Sequence, residues 1–431
     1  MADTDAGRSG PRITRRSLLG GAAVGAGTAG AGFLGGHAYA DQDPAAGAGT
    51  EPGRRYVPFA GPHQTGITTH PVPALGLMAA FTCVAGDRDD LRTCLAELTD
   101  EIRRLMAGEP IEQRPPAYPP VDSGILGAQP PADNLSVVGS VGASLFVDRY
   151  GLAGRRPREL VQMPFLANDR LDPDRSHGDL LLTVEAEHAD TLQFALRQLM
   201  RRTREWLVLK WMVDGYTRGT TPTSAPGDDT AGAPRNLMGF KDGTANLDST
   251  DAGVMDRYMW TTGAAGGEPA WAAGGSYHVV RVIRMFVEFW DRTQLGEQEA
   301  IIGRHKLSGA PLGRSDEHDE PAFDTDPDGE TTPLDAHIRL ANPRTAASDA
   351  AQIFRRGFSY SRGFDGAGQL DQGLAFGCYQ RSLDAGFLAV QRRLAGEPLE
   401  EYILPEGGGF FFALPGVPGA GGFLGDGLVP G

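Results

Sequence analysis

Between Leu75 and Val84 almost every residue is apolar, a run of the length expected for a buried strand. From Arg88 the spacing changes. Leu91, Leu95, Leu98, Ile102 and Leu105 recur every three or four residues, the stripe of a helix with one buried face. Leu135 to Phe146 and Leu180 to Val184 read as further strands, and Ala189 to Met212 as one long helix. The second half repeats the theme. Tyr277 to Phe289 reads as a strand, Gln294 to Ile302 as a short helix, Gly373 to Tyr379 as a strand, Leu383 to Leu394 as a helix and Phe410 to Leu414 as a late strand. Strands carrying helices on one face predict an α+β fold of ferredoxin-like type, present twice in tandem, with antiparallel sheets and peripheral helices. The expected domains are 55–230 and 231–431.

Two stretches read as loops. Pro110 to Pro131 is rich in proline, and Ser315 to Glu330 holds eight acids, a span too polar for a core and without the spacing of a twelve-residue calcium loop. The N-terminus stands apart. Arg15 and Arg16 precede a Gly/Ala-rich apolar stretch ending in His37-Ala38-Tyr39-Ala40, the plan of a twin-arginine export signal over 1–40, followed by a flexible linker over 41–54. Cleavage after Ala40 would leave no stable membrane span. The expected location is extracytoplasmic or secreted, reached by the twin-arginine machinery, which carries folded proteins and often their cofactors.

Charge narrows the choice of partners. With 40 Lys and Arg against 55 Asp and Glu over 431 residues, the net charge of −15 opposes binding to nucleic acid or to an anionic membrane. The three cysteines Cys83, Cys94 and Cys378 form no zinc or CxxCH pattern, so a disulfide framework and covalently attached haem are both excluded.

Chemistry must therefore come from His, Arg and Asp. Gly239-Phe240-Lys241-Asp242-Gly243-Thr244-Ala245-Asn246 places a carboxylate between glycines, which permit a tight turn and close approach of another group. Alone, it reads equally as a surface turn. His337-Ile338-Arg339-Leu340-Ala341-Asn342-Pro343-Arg344 and Phe354-Arg355-Arg356-Gly357-Phe358-Ser359-Tyr360 follow. A lone histidine beside an isoleucine is commonly structural, but one His, one Arg and one Asp make a coherent set for a haem site.

Together with Val57-Pro58-Phe59, Gly61 to Ile67, Gly303-Arg304-His305-Lys306, Gly373 to Phe376 and Cys378-Tyr379-Gln380, these segments resemble the dye-decolorising peroxidases. The resemblance runs in order from about residue 55 to 420, and within the family it points to the exported branch related to bacterial iron-uptake haem peroxidases. It implies non-covalent haem b, iron protoporphyrin IX, held mainly by the C-terminal domain. It further implies His337 as proximal iron ligand, Asp242 as distal acid-base, Arg355 as distal arginine and Arg304 as a haem-propionate partner. His305 would line the pocket and His63 would serve packing between the halves or access to the pocket. The acceptor for the second ring nitrogen of His337 has no matching motif, and Asp371 is a guess. Trp206, Trp211, Trp260, Trp271, Trp290 and Tyr360 are electron-relay candidates by residue type only.

The implied reaction is reduction of hydrogen peroxide through a ferryl state, followed by one-electron oxidation of dyes, phenolics or other small reductants. The alternative is an exported haem-binding or iron-acquisition protein, releasing haem iron or oxidising ferrous iron, whose peroxidase activity is incidental. A structural domain that kept the fold and lost the haem is the third class. The oligomeric state stays open, a homodimer included.

Overall fold

The structure, a computed structural model, describes residues 55–218, 233–419 and 421–431. The expected export signal, the linker and the junction between residues 230 and 231 lie outside them. All described residues fall in one compact unit, Ala48–Gly431.

The first half runs β1 (Leu75–Cys83), α1 (Arg88–Ala107), β2 (Ser136–Gly142), β3 (Leu180–Ala186), α2 (Ala189–Arg202) and β4 (Leu207–Tyr216). Helix α1 starts where the Asp87 carboxylate accepts the Asp90 N–H, carries Asp89 and Asp90 in its first turn where the helix dipole favours anions, and stops at left-handed Gly108. Its predicted stripe is buried: Leu91, Leu95, Leu98 and Ile102 face the sheet.

The long helix expected over 189–212 is two elements. Helix α2 ends at Thr203, and Leu207, Trp211 and Val213 are buried while Val208 and Met212 are exposed. That alternation, with β-branched and aromatic side chains, suits a strand and leaves no helical stripe. The 110–131 stretch carries neither helix nor strand.

The second half runs α3 (Ala252–Tyr258), β5 (Ser276–Met285), α4 (Val287–Trp290), α5 (Leu295–Ile302), α6 (His337–Ala341), β6 (Phe354–Arg355), β7 (Phe358–Phe364), β8 (Leu370–Gln380), α7 (Ala389–Leu394) and β9 (Ile403–Ala413). The strand expected to reach Phe289 ends at Met285, and the expected 383–394 helix is broken at Gly386, whose backbone leaves the helical region.

Every strand pairing is antiparallel, and the first half reads β2-β3-β1-β4 across its sheet while the second reads β9-β5-β8-β7. The halves are not separate sheets. β2 pairs with β9 from Ser140–Ala413 to Gly142–Phe411, and β4 meets β7 at Tyr216–Ser359, so eight strands close into a ring. Its interior is filled by Met78, Ala80, Leu181, Trp211, Val280, Val282, Phe358 and Phe411. Among the described residues no helix is long and apolar enough to cross a membrane.

Strands β6 and β7 keep one register against β8, with Arg355 opposite Cys378 and Phe358 opposite Ala375. The period-two alternation of a strand therefore sends Arg355 and Arg356 to opposite faces. Arg356 turns inward and meets Glu185 of β3 in an ion pair whose two side chains are 2% and 3% exposed.

Candidate active site

A cavity of about 300 Å³ lies on the outer side of the second half's sheet. Ile283 and Met285 of β5 and Leu374 and Phe376 of β8 line one wall, and Phe387, Val390 and Leu394 line another. Into this apolar slot project Asp242, His337, Arg355, Arg304 and Arg344.

His337 is the first residue of α6. Its Nδ1 lies 2.7 Å from Oε2 of Glu397, which is buried at the start of the turn Pro398–Glu401. With Nδ1–H donating to that carboxylate, the lone pair remains on Nε2. Burial disfavours the charged imidazole, but the charge of Glu397 and its hydrogen bond outweigh this and raise the pKa of His337 above the ordinary histidine value.

Asp242 sits on a loop folded back on itself. Its N–H donates to the Pro234 carbonyl at 2.7 Å, and Arg235 and Lys241 form an isolated antiparallel bridge. Gly239 and Gly243 flank it at φ 85° and 119°, backbone that a side chain would strain, and a Cβ at Gly239 would come within 2.6 Å of Lys306. The Asp242 carboxylate is ion-paired with Arg355. The side-chain amide of Asn246 accepts the Arg355 N–H at 2.8 Å and donates to the Arg355 carbonyl at 2.8 Å.

The acidic stretch 315–330, expected to be a solvated loop, contributes a buried hub to this site. Glu317 is ion-paired with Lys241, accepts the Thr244 hydroxyl at 2.8 Å and the Ala233 N–H at 3.2 Å, and its carbonyl accepts from Arg304 at 3.0 Å. Burial alone would raise its pKa, yet the Lys241 and Thr244 bonds lower it and keep the carboxylate charged. A single acid thus ties the Asp242 loop to Arg304. Burial and the nearby Arg344 charge push the pKa of Arg304 down, and Arg355 adds to this, so the three guanidiniums favour an anionic ligand among them.

Of the residues singled out in the sequence, His337, Asp242, Arg355 and Arg304 share this one cavity. His305 does not line it and pairs with Glu299. His63 does not line it either. Its ring stacks on Trp260 at 3.9 Å and its Nδ1 lies 2.7 Å from the Gly274 carbonyl, which joins the N-terminal segment to the second half. Asp371 belongs to Arg362, and the partner of His337 is Glu397. None of the tryptophans lines the cavity, nor does Tyr360, which packs under Arg362. The sequence reading missed Glu397, Arg344, Glu317 and Asn246. Asn246 and Arg344 stood within the quoted motifs, whereas Glu397 lies 60 residues from His337 with no motif around it.

The chain matches two family models, "Dyp-type peroxidase, N-terminal" over residues 64–217 and "Dyp-type peroxidase, C-terminal" over residues 233–418. A deferrochelatase of Escherichia coli O6:K15:H31 is 49% identical over 373 residues, covering 86% of this chain and 87% of the relative, and one of Shigella flexneri is 48% identical over the same shares. Among solved structures, ferric DtpA from Streptomyces lividans superposes with a TM-score of 0.77 at 37% identity, over 88% of this chain and 98% of that one. A DyP-type peroxidase from Cellulomonas bogoriensis gives 0.77 at 34% identity, over 89% and 100%.

Proposed function

We propose that this chain, which belongs to the Dyp-type peroxidase family, handles the iron of haem and carries out its peroxidase chemistry in the same cavity. It is a haem peroxidase by class. In this reading the two halves are ferredoxin-like units, and the C-terminal one holds haem b in an extracytoplasmic protein exported through the twin-arginine route. The residues present fit that cofactor. A slot with apolar walls suits the macrocycle, Arg304 and Arg344 suit its carboxylates, and His337 keeps Nε2 free to ligate iron because Nδ1 is committed to Glu397. Haem bound there supplies a redox-active iron that reacts with peroxide and returns to rest by single-electron steps.

The chain's own groups carry the protons. Asp242, half-buried and facing the cavity, takes a proton from one peroxide oxygen and delivers it to the other. Arg355, ion-paired with Asp242, stabilises the anion formed on the way. The same pair serves iron release. Release of ferrous iron from a bound porphyrin would need two protons in exchange and an external reductant for the electron, and Asp242, open to the cavity, would relay the two protons from solvent one after the other.

The observation that carries haem-iron handling is the 48–49% identity to proteins named deferrochelatases over 86% of the chain. The second reading is oxidation of dyes, phenolics or other small donors as the main task, supported by solved DyP-type peroxidases at 34–37% identity. The test uses the haem-loaded chain with a one-electron reductant and a ferrous chelator. Metal-free protoporphyrin fluorescence and chelated iron should appear in equal amounts, and Asp242→Asn should suppress both. Haem that keeps its iron while peroxide drives phenol oxidation would put the second reading first.

A further inference from the structure

We propose that Asn246 is the positioning residue that locks Asp242 and Arg355 into one rigid unit. The inference rests on the reading of that pair as the acid and the cation of the site. Asp242 and Arg355 come from separate segments, a loop and a two-residue strand, and both side chains are about one-third exposed to the cavity, at 27% and 34%. An ion pair of that exposure does not hold two segments in register by itself. Four residues after Asp242, Asn246 returns its own N–H to the Gly243 carbonyl at 2.9 Å, closing the turn that follows directly on Asp242. Its side chain then takes both backbone groups of Arg355, each at 2.8 Å, as a neighbouring strand would.

The chemistry of the amide explains why this residue type is needed. A primary amide offers an acceptor and a donor on one short planar group, the pairing that a peptide unit offers across a β-ladder. A carboxylate accepts only, alanine does neither, and glutamine would set the group a bond length too far. From its other side Arg355 is held by β8, opposite Cys378, and Arg356 is anchored on Glu185. Asn246 therefore fixes the strand that presents the guanidinium and the turn that presents the carboxylate with the same side chain.

The test has two readouts. In the haem-free chain, amide hydrogen exchange at Arg355 should speed up at least tenfold in Asn246→Ala, because the Asn246 amide is the acceptor of that N–H. In Asn246→Asp, which keeps the shape and the acceptor, exchange should stay within about threefold of the parent. In the haem-loaded chain, Asn246→Ala should slow the peroxide-driven change of the Soret band roughly tenfold, and this loss should vanish when the substitution is made on top of Asp242→Asn, since two residues acting through one unit are not additive. Equal slowing with and without Asp242, or unchanged exchange at Arg355, would overturn the proposal. If Asp242→Asn alone left the peroxide reaction unchanged, the role given to Asp242 would fall, while the exchange measurement would still decide on the clamp. Should Asn246→Ala fail to fold, Asn246→Asp decides: a peroxide step as fast as the parent's would refute positioning by the donated bond to the Arg355 carbonyl.

Discussion

Removing the Glu185 carboxylate should cost far more stability than a typical salt-bridge deletion. Glu185 and Arg356 are almost fully enclosed, and the guanidinium gives its Nε to Oε1 at 2.7 Å and its NH1 to the Thr69 carbonyl at 2.9 Å. Glu185→Ala strands a buried cation with only the Thr69 bond, a loss of about 3–5 kcal/mol. With an unfolding entropy of about 2.1 cal/mol/K per residue, a cooperative body of roughly 380 residues has about 0.8 kcal/mol/K, so Tm should fall by about 4–6 °C. Replacing both partners by apolar residues, Glu185→Leu with Arg356→Met, removes the stranded charge and should recover most of the loss. Calorimetry on the parent, Glu185→Leu, Arg356→Met and the double variant gives the coupling directly. A shift under 1 °C in Glu185→Ala, or a double variant as unstable as the sum of the singles, would refute the reasoning.

Three further outcomes are expected. Asp242→Asn and Arg355→Leu should each slow the peroxide-driven Soret change about 10²–10⁴-fold in stopped-flow mixing, with haem still bound; loss of haem in either would move that residue from chemistry to cofactor retention. Glu397→Gln should weaken haem binding about 10–100-fold in a titration followed by absorbance, and His337→Ala more than that; an unchanged affinity in Glu397→Gln would show that another group orients the ring. Burial holds the His278 imidazole down at about 3, so the folded chain stays unprotonated where the unfolded chain, near 6.5, takes up a proton. The sign is loss of stability as pH falls below about 6.5, and between pH 7 and 5 the unfolding free energy read from urea titrations should fall by about 2 kcal/mol more in the parent than in His278→Phe. Identical pH dependence in both would mean that the ring becomes charged in the folded state.

What was legible in the sequence follows from how local each signal is. The stripe of α1 and the apolar run of β1 each rest on a single buried face, so periodicity finds them. The boundary between α2 and β4 was hidden because Leu207 to Met212 continues the apolar character of the helix, and only its alternation marks a strand. Strand β7 was missed because Ser359, Ser361, Arg362 and Gly363 dilute its pattern, its last residues being exposed. In the site, Asp242, His337, Arg355 and Arg304 were found because a motif surrounds each, while Asn246 and Arg344 stood inside those motifs with no role given to them. Glu397 and Glu317 had no such signal, since one lies 60 positions from His337 and the other is a buried acid inside a run of mostly exposed ones.

The ring of strands also dictates an order of events when the chain is made. Until β9 emerges, β2 is a bare sheet edge, and its seam with β9 is secured by Gln64, whose amide donates to the carbonyls of Gly139 and of Leu414, the latter 350 positions away in sequence. A nascent first half therefore carries an open template for mispairing until β9 seals it. A chain cut short before Ile403 would keep its first-half helices and strands, with β4 still able to meet β7, and would leave the β2 rim of that sheet without its partner. Strand β9, paired with β5 on one side and β2 on the other, acts as the clasp between the two halves.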